Sequence, residues 1–285
     1  MSLHYVTILG AARSGTNILR DCLTRLPGFR TWPCDEINYI WRHGNAWYPS
    51  DEFTPDMARS QVRRYIRKQF EWVVRRYQAE VVVEKTCANS LRVEFVDRVV
   101  PEARYIFIHR NGFDVVASAL KRWQAGLDLG YAAQKARFIP LMDMPYYALC
   151  HLWNRMYRLS KRQKRLAFWG PRLDHLEEMQ RKHSLEELCA LQWKRCVDRS
   201  SEALSSLDPS RWLEVAYEDF VQFPGQELER IVSLVDWTPK GSEIEKAVAG
   251  VLKTSLGKGH KELPQSVMQQ IEPIMQDTLS RYNYV

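Results

Sequence analysis

The chain has 285 residues, 45% apolar and 26% charged with 10 Trp and 13 Tyr, which is the composition of a soluble globular protein long enough for one large α/β domain or two small ones. Its net charge of +7 favours anionic partners without choosing among nucleotides, acidic glycans, nucleic acid and headgroups. No apolar run approaches the ~18 residues of a membrane-spanning helix, and the six cysteines form no CxxC and no zinc-finger spacing with His.

In chain order, "HYVTILG" (4–10) is a β-branched apolar run ending in glycine. "TNILRDCLTRL" (16–26) follows with apolar residues at helical period, so strand, glycine loop and helix open a βαβ unit. "GFRTWPCDEINYIW" (28–41) predicts a short second strand and a loop. Residues 57–78 form a basic amphipathic helix, 79–86 a buried strand, 91–100 a helix stopped by Pro101, 103–110 another apolar strand and 114–124 the next helix. That alternation predicts a parallel sheet covered on both faces. Residues 125–185 break the pattern and are rich in Met, Tyr, Trp and His. A long helix over 185–204 carries Ser184 and Glu187 at capping-box spacing. A last strand and turn (211–221), a helix (225–235), a polar loop punctuated by Gly257 and Gly259, and a final helix from Pro264 complete the chain. No signal peptide precedes the first strand, and the free thiols fit a reduced, cytoplasmic setting. The Met-Ser-Leu start is also compatible with a removed N-terminal anchor.

Two stretches carry chemistry. In "LGAARSGTNILRDCL" (9–23), Gly10 and Gly15 stand where a Walker A loop has its glycines, but Thr16 and Asn17 occupy the Lys and Ser/Thr positions. Backbone N–H groups at the helix start still suit an oxyanion. Ser14, Thr16 and Asn17 add polar donors, and Arg13 brings a planar fork. In "FIHRNGFDVVASALKRW" (107–123), Arg110 ends a strand, and Ser118 and Arg122 lie 8 and 12 residues on. On a helix those two are i and i+4, facing the crevice beyond the strand ends where open α/β sheets bind ligands.

Together these stretches resemble the sulfotransferases that use 3′-phosphoadenosine-5′-phosphosulfate (PAPS), nearest the tyrosylprotein and carbohydrate (bacterial-type) branch. Arg13-Ser14-Gly15-Thr16-Asn17 looks like that family's RSGTT loop for the 5′-phosphosulfate. Arg110, Ser118 and Arg122 look like its 3′-phosphate motif. "VEKTCANSLRVEFVDRVVPEARYIFIHR", "VAYEDFVQFP" and "SLGKGHKEL" are similar to later segments, so the likeness covers about 4–123 and 185–285. Asn17 in place of the second Thr, and RNG in place of RDP or RDG, are departures. The resemblance implies a metal-free in-line transfer of a sulfuryl group from PAPS to an acceptor hydroxyl, which is why a Walker lysine is not needed. It also implies Glu36 as general base, with Asp35 and His43 as alternatives, and Lys85 at the bridging oxygen, although Glu84 can instead pair with Lys85. Tyr217 would meet the nucleotide, and Ser255 and Lys258 would belong to a closing loop.

The expected fold is α/β: one P-loop-like three-layer domain over 1–285 with a central parallel sheet flanked by helices. A helical insertion at 124–184 would choose the acceptor. Within it, "RLSKRQKRLAFWGPR" (158–172) has six basic residues and no acid, with Tyr146, Tyr147, Trp153 and Trp169 around it. That mixture suits an anionic sugar chain, and "WGPR" resembles a segment of bacterial members acting on carbohydrates. The expected acceptor is a hydroxyl of a carbohydrate or glycolipid, with a peptide tyrosine or small alcohol as the alternative; no nucleic-acid partner is expected. A nucleotide-dependent phosphotransferase and a polyanion-binding module are the competing classes.

Overall fold

The computed structural model describes residues 3–124, 137–149 and 169–285. Five strands, β1 (His4–Leu9), β2 (Phe29–Arg30), β3 (Val81–Lys85), β4 (Arg104–His109) and β5 (Trp212–Ala216), form one sheet in the order β2-β3-β1-β4-β5. Every pairing is parallel. All carboxyl ends therefore open on one edge, with β1 central.

The sheet is buried on both faces, and alternation along the strands assigns the faces. Tyr5, Leu9, Tyr105 and Phe107 point into one core, and Val6, Ile8, Ile106 and Ile108 into the other. The first core packs against helices α3 (Ser60–Tyr77), α4 (Val93–Val99) and α5 (Gly112–Gln124), and against the helices Leu185–Ser205 and Gln265–Arg281. The second packs against α1 (Thr16–Arg25) and the helices Tyr217–Gln222, Pro224–Ser233 and Gly241–Val248. This is the expected three-layer α/β arrangement. Ser184 and Glu187 make both bonds of the predicted capping box.

Three local expectations need correction. The loop after β2 contains a short helix, α2 (Asn38–Trp41). The turn after β5 is the helix Tyr217–Gln222. The "polar loop" around Gly257 is a 3₁₀ turn, Lys253–Ser255, followed by a helical turn, Lys258–Glu262. Short polar segments of this kind carry too little apolar periodicity to announce a helix, and tertiary contacts decide them. No described helix is long and apolar enough to cross a membrane.

Candidate functional site

The loop after β1 enters close-packed backbone. Gly10 N–H donates to Ser90 Oγ at 2.7 Å, and a Cβ on Gly10 would stand 2.5 Å from the Ile108 carbonyl oxygen. Arg13 (φ 77°) and Gly15 (φ 90°) both adopt the left-handed conformation. For an arginine that costs roughly 1–2 kcal/mol, the kind of strain that clusters at binding loops. α1 then starts at Thr16 with no side-chain cap, so its first N–H groups keep their capacity for an external acceptor. The Ser14 hydroxyl is fully buried and finds no hydrogen-bond partner among the described residues. Asn17 is exposed, and Thr16 Oγ1 lies 3.6 Å from Cys87 Sγ.

The β1 loop meets the end of β4 directly. Arg13 Nε donates to Ser118 Oγ at 2.9 Å, and Arg110 Nη1 donates to the Arg13 carbonyl oxygen at 3.2 Å. Arg122, half-buried, lies one turn beyond Ser118 on α5. The Arg110 guanidinium stacks 4.4 Å above the Tyr217 ring, and its Nε is buried without a hydrogen-bond partner among the described residues. Tyr217 also abuts the β1 loop: a Cβ on Gly15 would lie 2.2 Å from its Cδ2. Gly15→Ala is therefore expected to cost roughly 1–3 kcal/mol in urea unfolding and to weaken anion binding. An unchanged unfolding midpoint would mean that Tyr217 moves aside freely.

The segment at 253–262, expected from the sequence to close the site, is tied to the same place. Arg110 Nη2 donates to Asp114 Oδ2 at 3.0 Å and also to the Ser255 carbonyl. Asp114 in turn accepts the N–H of Gly257 at 3.0 Å and of Gly259 at 2.6 Å. Gly259 leaves no room for a side chain, since a Cβ would stand 2.5 Å from the Phe113 carbonyl carbon. Lys258 begins the helical turn between these contacts.

On the other side of β1, Lys85 ends β3 and donates to Asp35 Oδ1 and Glu36 Oε1, both at 3.1 Å. Burial works against the charged ammonium, but Glu36 and Asp35 outweigh it and hold Lys85 above its ordinary range. Glu36 Oε1 also accepts the Cys87 N–H at 3.3 Å. Burial, reinforced by Glu36, pushes the Cys87 thiol up to about 12. Asp35 is additionally clamped by Arg20 at 2.7 Å. Glu84 turns away from Lys85 and accepts from Trp41 Nε1 at 3.0 Å and Asn89 Nδ2 at 2.9 Å. His43 packs on Tyr65, with its Nδ1 2.8 Å from Asp143 Oδ2. Of the three candidate bases, Glu36 and Asp35 are thus the two that the structure brings to Lys85.

Three features escaped sequence reasoning. Asp114 is the hub of the closing segment; its i+4 spacing from Arg110 was the available signal. Arg20, one turn past the loop, fixes Asp35. A buried network also ties residues 42–51 to 92 and 172: Asp51 receives Arg42 at 2.7 Å, Arg92 at 3.4 Å and the Arg172 N–H at 2.9 Å. Burial opposes the Asp51 charge, but Arg92 and Arg42 prevail and keep its carboxyl below the usual range.

Most of the basic 158–172 stretch, and Trp153, lie outside the described residues. Its end is described: Gln192 Nε2 donates to the carbonyls of Trp169 at 3.2 Å and Pro171 at 2.7 Å. Tyr147 meets Tyr39 edge-on at 4.6 Å, three residues beyond Glu36. No group of three or more His, Cys, Asp or Glu among the described residues is arranged to hold a metal ion.

The chain matches the model of the sulfotransferase family over residues 6–168. Among solved structures, a sulfotransferase domain from the curacin biosynthetic pathway superposes with a TM-score of 0.56 at 15% identity, covering 99% of this chain and 98% of that one. A sulfotransferase from Mycobacterium avium gives 0.54 at 15% identity, over 99% and 77% of the two chains. A mouse sulfotransferase complexed with PAP gives 0.52 at 10% identity, over 97% and 85%. At such identities these structures speak for the fold. No curated protein sequence matches the chain.

Proposed function

The chain belongs to the sulfotransferase family, and we propose that it moves the sulfuryl group of PAPS to an acceptor hydroxyl of a carbohydrate or glycolipid. The observation that carries this reading is the junction across the β1/β4 crevice. Arg13 reaches Ser118, Arg110 reaches the Arg13 carbonyl, and two buried donors, Ser14 Oγ and Arg110 Nε, are left without hydrogen-bond partners among the described residues. A nucleotide carrying a 5′-phosphosulfate and a 3′-phosphate and lying there would give both a partner, so the residues present fit the group.

Bound PAPS would supply an activated sulfuryl group on a phosphate leaving group. The α1 N–H groups, Ser14, Thr16 and Asn17 would bind its 5′ end, with Arg13 over it. Arg110, Ser118 and Arg122 would hold the 3′-phosphate, and Tyr217 would form the floor. Ser255 and Lys258 would close the site, fixed by Arg110 and Asp114. Glu36 takes the proton of the acceptor hydroxyl as its oxygen attacks sulfur. Lys85 neutralises the charge on the leaving oxygen as the sulfur–oxygen bond breaks. Asp35 suits the base role less well, because Arg20 and Lys85 share its Oδ1. Residues 124–184 would select the acceptor within a single domain.

Titration calorimetry separates this reading from its rivals. The desulfonated nucleotide PAP is expected to bind, and ATP with Mg²⁺ is not. Preference for ATP–Mg²⁺ would make the chain a phosphotransferase. Binding of polyanions but neither nucleotide would make it a binding module. Labelled sulfuryl transfer from PAPS to glycans, peptides and phenols then identifies the acceptor.

A further inference from the structure

Residues 137–149 lie across α3 and across residues 39–47. Phe138 meets Trp72 with ring centroids 6.1 Å apart, Asp143 holds His43 at 2.8 Å, and Tyr147 meets Tyr39 at 4.6 Å. Tyr146 packs on Trp47 at 4.5 Å. These contacts anchor the segment by one side. The other side is apolar and open: Leu141 is 82% exposed, Met142 85%, Met144 50% and Leu149 58%, and neighbouring Trp47 is 73% exposed. Half of the ten large apolar side chains exposed among the described residues are therefore gathered here. Single exposed apolar residues are ordinary; a ridge of them marks an interaction surface.

The charge beside the ridge identifies the partner. Trp72 shares its face of α3 with Arg64 and Lys68, at i−8 and i−4, and both cations are exposed. Of the carboxylates nearby, Glu71 is paired with Arg75 and Asp143 is engaged by His43 Nδ1. Flexible aliphatic side chains, an exposed Trp and flanking cations are the combination that enters a lipid headgroup boundary. We propose that this face docks the chain on an anionic lipid bilayer, with the Leu141–Leu149 ridge in the boundary and Arg64 and Lys68 on the headgroups. This goes beyond the transfer reaction and is tested without turnover.

The test is co-sedimentation of the full chain with vesicles of phosphatidylcholine alone and of phosphatidylcholine mixed with phosphatidylglycerol. Binding is expected on the mixed vesicles and is expected to fall with added salt. Leu141→Asp with Met142→Asp should lower it at least tenfold; both side chains are more than four-fifths exposed, so folding is untouched. Arg64→Glu with Lys68→Glu should lower it by roughly 30-fold, at about 5-fold per cation. Absence of binding to mixed vesicles overturns the proposal. So does equal binding to neutral ones, or binding indifferent to the Leu141 and Met142 changes. A lipid-free dimer, seen by light scattering and abolished by those same changes, would assign the face to a second copy of the chain and equally overturn it.

Discussion

Glu36→Gln is expected to bind PAP as the unaltered chain does and to lose sulfuryl transfer by ~10²–10⁴-fold, the usual worth of a positioned general base. The amide matches the carboxylate in shape and can still accept the Cys87 N–H and the Lys85 ammonium on its oxygen. Lys85 keeps Asp35 as a counter-charge, so the ion pair survives in part. What the substitution removes is the capacity to take a proton. Steady-state transfer and PAP titration on the same preparation check it. Activity within a few-fold of normal would remove Glu36 from the base role and move attention to Asp35. A lost PAP affinity would mean that Glu36 serves the nucleotide pocket instead.

Arg110→Ala is expected to weaken PAP binding by about 2–5 kcal/mol, as for truncation of one partner of a buried charge-assisted contact. The side chain joins the β1 loop, through the Arg13 carbonyl, to the closing segment, through Ser255 and Asp114. Its loss also leaves the Asp114 carboxylate, among the described residues, with the Gly257 and Gly259 N–H groups. The closing segment should then become a protease-sensitive site that PAP no longer protects. Arg110→Lys keeps the charge and loses the fork, so it should recover only part of the affinity. Unchanged PAP affinity in Arg110→Ala would break the 3′-phosphate assignment.

The sheet was legible in the sequence because its three central strands are short, almost fully buried apolar runs followed by or ending in Gly10, Lys85 and Arg110. Lys85 and Arg110 were legible for the same reason: each stands where a hydrophobic run stops. Asp114 was not, since nothing local says that its carboxylate will receive two N–H groups from residues more than 140 positions away. The same holds for Asp51. Nothing in its local sequence marks it, yet burial among Arg42, Arg92 and the Arg172 backbone makes it a structural anion. The helical turn at Lys258–Glu262 was read as loop because its glycines look like breakers. In the fold, Gly259 is there to let that turn lie flat on the start of α5.

The joint at residues 169–174 is made of main chain. Gln192 takes the carbonyls of Trp169 and Pro171, Asp51 takes the N–H of Arg172 while its own N–H goes to the Arg172 carbonyl, and Glu52 takes the N–H of Asp174. None of these contacts reads a side chain of the returning segment. The socket therefore constrains the sequence plugged into it at few positions: Gly170, whose φ of 86° and contact with Gln192 leave no room for a side chain, and Leu173, which is buried in the core. Divergence between Gln124 and Trp169 can proceed without re-evolving the attachment, and a segment borrowed from another such protein can be seated there by transplanting its ends. If residues 124–184 select the acceptor as proposed, chimeras cut at these two positions would exchange acceptor preference.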